Sequence, residues 1–138
     1  HVNLITDFYK KKFKKDPRIA ITGLNPHCES NFINSEEKSI IIPAIKNLKL
    51  KNFKVEGPFP ADTIFMKKNF QKFDVIIGMY HDQVLTPMKA LFGFNAINIT
   101  LGLPFVRISP DHGPNTSMLG KNLSDPKSLI KALKFLEK

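Results

Sequence analysis

Apolar residues are arranged along the chain in two alternating patterns. Some form short continuous runs, often β-branched, that show no helical period and therefore predict buried strands. These runs lie at residues 18–23, 74–79, 96–101 and 105–108, with a short edge strand predicted at 54–56. Others recur every three or four positions opposite a polar face, which predicts amphipathic helices at 5–13, 35–48, 84–92 and 124–136. This alternation predicts an α/β fold with a mostly parallel sheet that carries helices on its faces.

Several residues mark where the predicted helices begin, bend and bury an apolar face. Ser35 is placed to cap the second helix, and Pro43 is expected to kink or restart it. Asp62 is expected to cap a short helix that follows a Pro- and Gly-rich loop. The last helix is predicted to start with Asp125 as its N-cap. Its buried face is predicted to consist of Leu129, Ala132, Leu133 and Leu136.

The overall composition excludes several classes of protein. At 138 residues, with 42% hydrophobic and 24% charged residues, the chain fits one globular domain rather than a disordered segment. No apolar run is long enough to cross a bilayer, and the single cysteine, Cys28, rules out an internal disulfide. We therefore expect a cytoplasmic protein without a membrane partner. The net charge of +9 is spread over helical faces without interleaved stacking aromatics, so we expect no nucleic-acid partner.

Acidic and imidazole side chains occur together where predicted strands end. His81 with Asp82 and Asp111 with His112 each follow a predicted strand, and His27 follows the first one. Ligands of open α/β sheets bind outside the carboxyl ends of the strands, so these groups are candidates for a ligand site. Each of them, taken alone, could instead be an ordinary loop residue. Two acid–imidazole pairs at strand ends favour the first interpretation.

Six motifs, in this order, resemble those of one family. They are Gly-Leu-Asn-Pro-His at 23–27, Glu-Glu at 36–37, Gly-Pro-Phe-Pro-Ala-Asp-Thr at 57–63, Met-Tyr-His-Asp-Gln at 79–83, Asn-Ile-Thr-Leu-Gly-Leu-Pro-Phe-Val-Arg at 98–107 and Asp-His-Gly at 111–113. From about residue 18 onward the chain resembles the bacterial 4-hydroxythreonine-4-phosphate dehydrogenases of vitamin B6 synthesis. The resemblance implies a three-layer α/β/α fold similar to isocitrate and isopropylmalate dehydrogenases, and the chain matches the C-terminal half. Residues 18–138 would form one lobe and residues 1–17 an N-terminal remnant.

The resemblance also implies a divalent metal (zinc, cobalt or magnesium) held by three histidines. Two of these match His27 and His81. The third precedes a His-hydrophobic-Pro-Leu stretch in the family, and His1-Val-Asn-Leu is similar to it with Asn in place of Pro. The spacing from His1 to the first strand is much shorter than in the family. Either residues are missing after about position 4 or the match of His1 is a coincidence, and the first explanation is favoured.

Substrate-binding positions of the family match Lys89, Asn98 and Arg107, and the acid of its Ala-Asp-Thr motif matches Asp62. Lys and Arg donors suit a substrate that carries a phosphate and a carboxylate, and Arg107 stands out in a chain that otherwise favours Lys. Asp62 and Lys89 are the candidate bases. The implied reaction is the NAD(P)-dependent oxidation and decarboxylation of 4-phosphooxy-L-threonine to 3-amino-2-oxopropyl phosphate. The family implies a homodimer whose active sites are shared across subunits.

Two segments depart from the family pattern. Residues 28–32 replace a glycine-rich loop, and Ser117 stands where the family has an Asp in the loop after Asp-His-Gly. The second loop is similar to the nicotinamide-cofactor loop of related enzymes, which makes His112 and Gly113 candidates for binding NAD or NADP. No Gly-x-Gly-x-x-Gly dinucleotide fingerprint is present in the sequence.

Three other functions are consistent with parts of the pattern. A sister dehydrogenase that acts on a phosphorylated threonate would share nearly all of the motifs. A metal-dependent hydrolase could use the same histidines with an open water site and would need no NAD. A basic nucleic-acid-binding domain would give no role to His27 or His81. The dehydrogenase is the favoured hypothesis.

Overall fold

The structure is a computed structural model that describes residues 1–28, 34–114 and 116–137. The chain forms two compact units, His1–Pro87 and Met88–Lys138. This division differs from the one suggested by the sequence at residue 17, because the N-terminal helix contributes Val2 to the core of the first unit. Within the described ranges, no helix is both long and apolar enough to span a membrane.

The bounds of the elements follow the predicted alternation of strands and helices. The helices are α1 (Val2–Phe13), α2 (Ile42–Leu50), α3 (Ala61–Ile64), α4 (Lys67–Phe70), α5 (His81–Phe92) and α6 (Lys127–Leu136). The strands are β1 (Ile19–Thr22), β2 (Val55–Phe59), β3 (Val75–Ile77), β4 (Ile97–Thr100) and β5 (Arg107–Pro110). A π-helical turn (Glu37–Ile41) leads into α2, and a 3-10 turn covers Thr116–Met118.

The first unit is built on a parallel three-stranded sheet in the order β2-β1-β3. Ile19 of the central strand lies opposite Val55 of β2 and Val75 of β3. Every residue of β1 is buried, as expected for a strand whose apolar run shows no alternation. The core consists of Val2, Ile19, Ile21, Ile41, Ile45 and Val55. An α/β fold with a parallel sheet is thereby confirmed for this unit.

The helix after β1 confirms the predicted cap and the predicted effect of Pro43. Ser35 Oγ accepts a hydrogen bond of 3.3 Å from the Lys38 backbone N–H, which is the bond an N-cap makes. Pro43 lies in the first turn of α2, directly after the π-helical turn. Because proline has no N–H to donate, the regular hydrogen-bond ladder cannot continue through it. Ile45 is buried in the core, whereas Ile40 is 63% exposed.

The second unit contains an antiparallel strand pair and helix α6. In β4 and β5, Asn98 lies opposite Ser109 and Thr100 opposite Arg107. These two strands form their own sheet rather than extending the parallel one. The expectation that the 74–79 and 105–108 strands deliver their acid–imidazole pairs to one sheet edge is therefore wrong, since β3 and β5 belong to different sheets.

Helix α6 buries only one residue of its predicted face, Ala132. Its buried residues are Ser128 and Ala132, because Ser128 Oγ donates to Ala96 O at 2.6 Å and accepts from the Asp111 N–H at 2.9 Å. Exposed fractions of 49–54% are found for the three leucines of the predicted set, Leu129, Leu133 and Leu136. The prediction that those leucines are buried was wrong. The hydrogen bonds of Ser128 orient the helix so that the face that carries the three leucines is exposed.

Asp74, immediately before β3, ties α1 and β1 to the amino edge of the parallel sheet. Its carboxylate accepts hydrogen bonds from the Arg18 backbone N–H (2.9 Å) and from Lys15 Nζ (2.7 Å). The Tyr9 hydroxyl donates to its carbonyl oxygen at 2.8 Å. The backbone bond from Arg18, followed by the bond from Lys15, lowers the pKa of the Asp74 carboxyl.

We predict that Asp74→Asn lowers the free energy of unfolding at pH 7 by about 1 kcal/mol, because it removes charge-assisted bonds. The pKa of this carboxyl is lowered on folding, so its contribution is present above the unfolded pKa of about 3.9 and is lost as the pH falls further. Urea unfolding at pH 7 and at pH 3 measures both effects. Asp16→Asn, which breaks only an exposed pair with Lys10, serves as the control and should change little at either pH. An Asp74→Asn deficit of the same size at both pH values would contradict the assignment.

Candidate active site at the carboxyl edge of the parallel sheet

Three of the candidate residues follow the three strands of the parallel sheet. His27 comes after β1, Asp62 after β2 and His81 after β3. Because the strands are parallel, their carboxyl ends lie at one edge of the sheet, which is where open α/β sheets bind ligands. All three side chains are exposed at this edge. The structure thus places His27 and His81 at the edge that the strand-end argument predicted, and it places Asp62 at the same edge.

The turn that carries His27 is tightly packed. A Cβ atom on Gly23 would lie 2.6 Å from Cys28 Sγ and 3.2 Å from Glu37 Oε1, so only glycine fits there. Asn25 Oδ1 accepts a hydrogen bond of 2.9 Å from the His27 N–H, which fixes the turn internally. The segment 29–33, which includes most of the departure from the family's glycine-rich loop, lies outside the described residues.

Glu37 supports the same turn through a hydrogen bond to its backbone. Its side chain is fully buried, and Oε1 accepts a hydrogen bond of 2.6 Å from the Asn25 backbone N–H. Oε2 has no hydrogen-bond partner among the described residues. A buried carboxylate is retained at such a position only where it satisfies other buried groups. Glu37 is therefore part of the framework of the turn and not merely one of two acids in a first helical turn.

Asp62 lies in the first turn of α3, after an edge strand held close to β1. Pro60 precedes the helix, and Asp62 makes no capping bond, so its predicted role as an N-cap is wrong. At Gly57, where φ is 139°, a Cβ would lie 2.4 Å from the Ile21 carbonyl oxygen, so this motif glycine permits the close approach of β2 to β1.

The pKa of the Cys28 thiol indicates which charges lie near the His27 turn. Burial raises this pKa, and the charges of Glu37 and Asp62 raise it further. Asp62 is therefore within electrostatic reach of the His27 turn.

His81 is the first residue of α5, not part of a loop before it. Its Nδ1 lies 2.7 Å from the Asp82 carboxylate, and both side chains are 77% exposed. A carboxylate accepts from an N–H, so this contact favours the tautomer in which Nε2 carries the lone pair. His81 can therefore act through Nε2 as a base, a hydrogen-bond acceptor or a metal ligand.

Two buried polar residues that lie close in sequence to the histidines, Thr22 and Gln83, could not be recognised from the sequence. Thr22 Oγ1 donates to Gln83 Oε1 at 2.7 Å, and Gln83 Nε2 donates to Gly23 O at 2.7 Å. A threonine at the end of an otherwise aliphatic buried strand signals that a polar partner must be found. The partner lies more than sixty positions away, and the sequence pattern alone contains nothing that identifies it.

The three histidines predicted to bind metal do not form a cluster. Across residues 1–28, 34–114 and 116–137, no group of three or more His, Cys, Asp or Glu side chains could hold a metal ion. His1 lies just before α1 and lines an apolar cavity of about 360 Å³, together with Ile21 and Met79. Helix α1 is continuous through positions 4 and 5. The imidazoles are chemically suitable donors, but their placement does not fit a preformed metal site. The metal role of His27, His81 and His1 stays a prediction.

The remaining candidates lie in the second unit. Lys89 Nζ is 2.9 Å from Asp111 Oδ2 and also donates to the Asp111 carbonyl oxygen. Arg107 donates to Thr100 Oγ1 at 2.8 Å across the strand pair and is otherwise exposed, as is Asn98. Lys89 and Arg107 are therefore available as anion-binding donors.

The predicted cofactor residues form an open loop. His112 Nδ1 lies 3.2 Å from the Gly113 carbonyl oxygen, and both residues are exposed. Among the described residues other than its chain neighbours, no atom lies within 4 Å of the position that a Gly113 Cβ would take. Further along the chain, Met118, Leu119, Gly120, Asn122 and Ser124 line a cavity of about 400 Å³. The cofactor assignment of His112 and Gly113 stays a prediction.

Comparisons with known proteins identify relatives over almost the whole chain. The sequence profile of the family described as "Pyridoxal phosphate biosynthetic protein PdxA" matches residues 1–136. A 4-hydroxythreonine-4-phosphate dehydrogenase of Sulfurihydrogenibium sp. is 47% identical over 136 residues, 97% of this chain and 42% of the relative. Crystal structures of 4-hydroxythreonine-4-phosphate dehydrogenases from Klebsiella pneumoniae (34% identity, TM-score 0.80) and Burkholderia phymatum (38%, 0.76) match 97% of this chain and 41% of theirs. The chain thus spans about two fifths of the length of these relatives.

We predict that Glu37→Leu lowers the free energy of unfolding by about 1–3 kcal/mol, because it leaves the Asn25 N–H unsatisfied. Glu37→Gln keeps an oxygen acceptor for that N–H and should lose less. Urea unfolding followed by circular dichroism measures the difference. Glu36→Leu is the matched control, since the neighbouring Glu36 is exposed. Equal losses for Glu37→Leu and Glu36→Leu would show that Glu37 does not support the turn.

Proposed function

Because the chain belongs to the family of the pyridoxal phosphate biosynthetic protein PdxA, we propose that it acts as a 4-hydroxythreonine-4-phosphate dehydrogenase. The proposed reaction is the oxidation and decarboxylation of 4-phosphooxy-L-threonine to 3-amino-2-oxopropyl phosphate. The observation that carries this proposal is the placement of His27, Asp62 and His81 at one edge of the parallel sheet. The substrate is inferred from the activity for which its relatives are named, 4-hydroxythreonine-4-phosphate dehydrogenase.

The chemistry requires a base for the substrate hydroxyl. When the secondary alcohol is oxidised, its hydroxyl proton passes to that base while the hydride from the same carbon passes to NAD or NADP, which supplies the oxidant. The resulting β-keto acid loses carbon dioxide and takes up a proton at the adjacent carbon. The product of these two steps is 3-amino-2-oxopropyl phosphate, and the atoms of the reaction balance.

Asp62 is the better of the two candidate bases. It is exposed in the first turn of α3 and within electrostatic reach of the His27 turn. Lys89 donates a hydrogen bond to the Asp111 carbonyl oxygen and forms an ion pair with Asp111 Oδ2, which suits a donor to anions better than a base. A carboxylate can accept the hydroxyl proton directly. We therefore assign Asp62 to proton transfer and Lys89 to anion binding.

Lys89, Asn98 and Arg107 are proposed to hold the charged groups of the substrate. The substrate carries a phosphate and a carboxylate, and charge-assisted bonds from Lys and bidentate bonds from Arg are the strongest contacts for these anions. Arg107 is held by Thr100 across the strand pair, which leaves other N–H groups of its guanidinium to bind an anion. The amide of Asn98 can pair with an amino or hydroxyl group.

The remaining proposals rest on the family alone. His112 and Gly113 would contact NAD or NADP, supported by the open backbone at Gly113. The protein would be a cytoplasmic homodimer with a three-layer α/β/α fold similar to isocitrate dehydrogenases. His27, His81 and His1 would bind zinc, cobalt or magnesium, but no step is assigned to a metal, since the described residues form no such cluster.

We predict that the intact protein reduces NAD or NADP when it is given 4-phosphooxy-L-threonine. His27→Ala and His81→Ala should each lower kcat/KM by at least about 100-fold, because each removes a polar group from the carboxyl edge of the sheet. The measurement is NADH or NADPH absorbance, with and without a chelator. Asp16→Asn, which breaks an exposed ion pair with Lys10, is the control for a substitution outside the proposed site and should retain kcat/KM.

The outcomes separate the competing hypotheses. Reduction of the cofactor that is unaffected by either substitution would make both histidines structural. Turnover of a phosphorylated threonate in place of the threonine compound would indicate the sister dehydrogenase, and hydrolysis without cofactor would indicate the hydrolase. Loss of activity with the chelator would support the metal prediction for these residues.

We predict that Arg107→Lys raises KM for 4-phosphooxy-L-threonine by about tenfold or more, with a smaller change in kcat, because a bidentate contact becomes a single one. Initial rates at varied substrate concentration measure this. Arg18→Lys is the matched control, since Arg18 is the other arginine of the chain and contacts Asp74 at the opposite edge of the sheet. An unchanged KM in Arg107→Lys would exclude Arg107 from substrate binding.

A further inference from the structure

Gln83 links the segments that carry the two histidines of the first unit. It lies on α5, two residues after His81, and is only 6% exposed. Its Oε1 accepts hydrogen bonds from the Met79 N–H (2.8 Å) and from Thr22 Oγ1 (2.7 Å), and its Nε2 donates to Gly23 O (2.7 Å). One amide group therefore contacts the end of β1 and the chain between β3 and α5.

The orientation of this amide is determined by its partners. The Met79 N–H can only donate and the Gly23 carbonyl can only accept, so oxygen must face the first and nitrogen the second. Both lone pairs of the oxygen and one N–H are used. A carboxylate would place an oxygen against the Gly23 carbonyl, and an aliphatic side chain would leave three polar groups without this partner. Only glutamine, among side chains of this length, satisfies all three contacts.

The two contacts on the backbone lie close in sequence to the histidines. Gly23 begins the turn that ends at His27, and Met79 is followed by Tyr80 and His81. Glu37 holds the other side of the same turn through the Asn25 N–H. Beyond the ends of the paired strands β1 and β3, the two histidine-bearing segments are therefore joined by a single side chain that is almost completely buried.

We propose that Gln83 is a positioning residue, which holds the Gly23–His27 turn and the Met79–His81 segment at the separation that the reaction requires. This inference rests on the proposed function, in which His27 and His81 act together. Gln83 itself touches neither imidazole in the hydrogen bonds described. Its effect on the reaction is therefore indirect and should appear in kcat more than in KM.

The test compares Gln83→Met with wild type in the intact protein, below the melting temperature of both. Methionine has a similar volume and lacks the three hydrogen bonds. A displacement of about 1 Å can lower a rate by about 100-fold, so we expect kcat to fall by about 10- to 100-fold while KM changes less than about threefold. Gln83→Glu, which retains the two acceptor bonds, is the second variant if Gln83→Met does not fold.

Imidazole NMR signals give a readout that does not depend on activity. The chain has four histidines. His112 serves as the internal reference, because His1 lines a cavity together with Met79, which Gln83 contacts. The signals of His27 and His81 should shift in Gln83→Met, while that of His112 remains. Tyr9→Phe removes a hydrogen bond to Asp74 at the opposite edge of the sheet. It is the control for a general loss of stability and should move neither kcat nor these signals.

The outcomes distinguish this inference from the proposed function. An unchanged kcat together with unchanged His27 and His81 signals, despite a lower melting temperature, would show that Gln83 is an ordinary buried amide and would overturn the inference. If wild type reduces no cofactor, the proposed function fails, and the NMR signals then decide alone. Shifts of the His27 and His81 signals without a shift of the His112 signal would support the positioning role, and their absence would refute it.

Discussion

Parallel pairing on both sides of β1 is the constraint on which the first unit depends. The four residues of this strand are fully enclosed, with β2 on one side and β3 on the other. Both neighbours run in the same direction, so each must return its chain outside the sheet, and all three strands end at one edge. The exposed polar residues that follow these strands therefore lie along that edge. The arrangement of the candidate site is thus a consequence of strand direction rather than of attraction between its members.

The end of a buried strand creates a second requirement, because backbone groups there lose their sheet partners and remain shielded from water. The Gly23 carbonyl, the Asn25 N–H and the side-chain hydroxyl of Thr22 lie at this strand end, and the side chains of Gln83 and Glu37 satisfy them. An unsatisfied buried group costs about 1–3 kcal/mol, so each of these partners is under physical constraint. Satisfying the groups also immobilises the turn and the start of α5. Rigid support for exposed functional side chains therefore arises from the same bonds that make the strand end stable.

The sequence was a good guide to elements and a poor guide to their partners. Continuous apolar runs located β1 and β3, Ser35 was correctly placed as a cap, and the motif pattern identified the family. The burial of Glu37 and the role of Gln83 could not be predicted, because each depends on a contact between distant segments. The leucine face of α6 was misassigned for a related reason: periodicity shows which face is apolar but not what covers it, and the hydrogen bonds of Ser128 decided the orientation. The strands of the second unit were found, but their antiparallel pairing was not.

The contact of Lys89 with Asp111 bears on how an anionic substrate could bind. The side chain of Lys89 is 38% exposed, so its ion pair is partly in contact with solvent. Pairs of this kind contribute about 0–1 kcal/mol, because solvent screens the charges and side-chain entropy opposes the contact. A phosphate offers more charge and more acceptor oxygens than one carboxylate does. Exchange of Asp111 for phosphate at Lys89 is therefore favourable. The ion pair seen in the structure is in this way consistent with the anion-binding role proposed for Lys89.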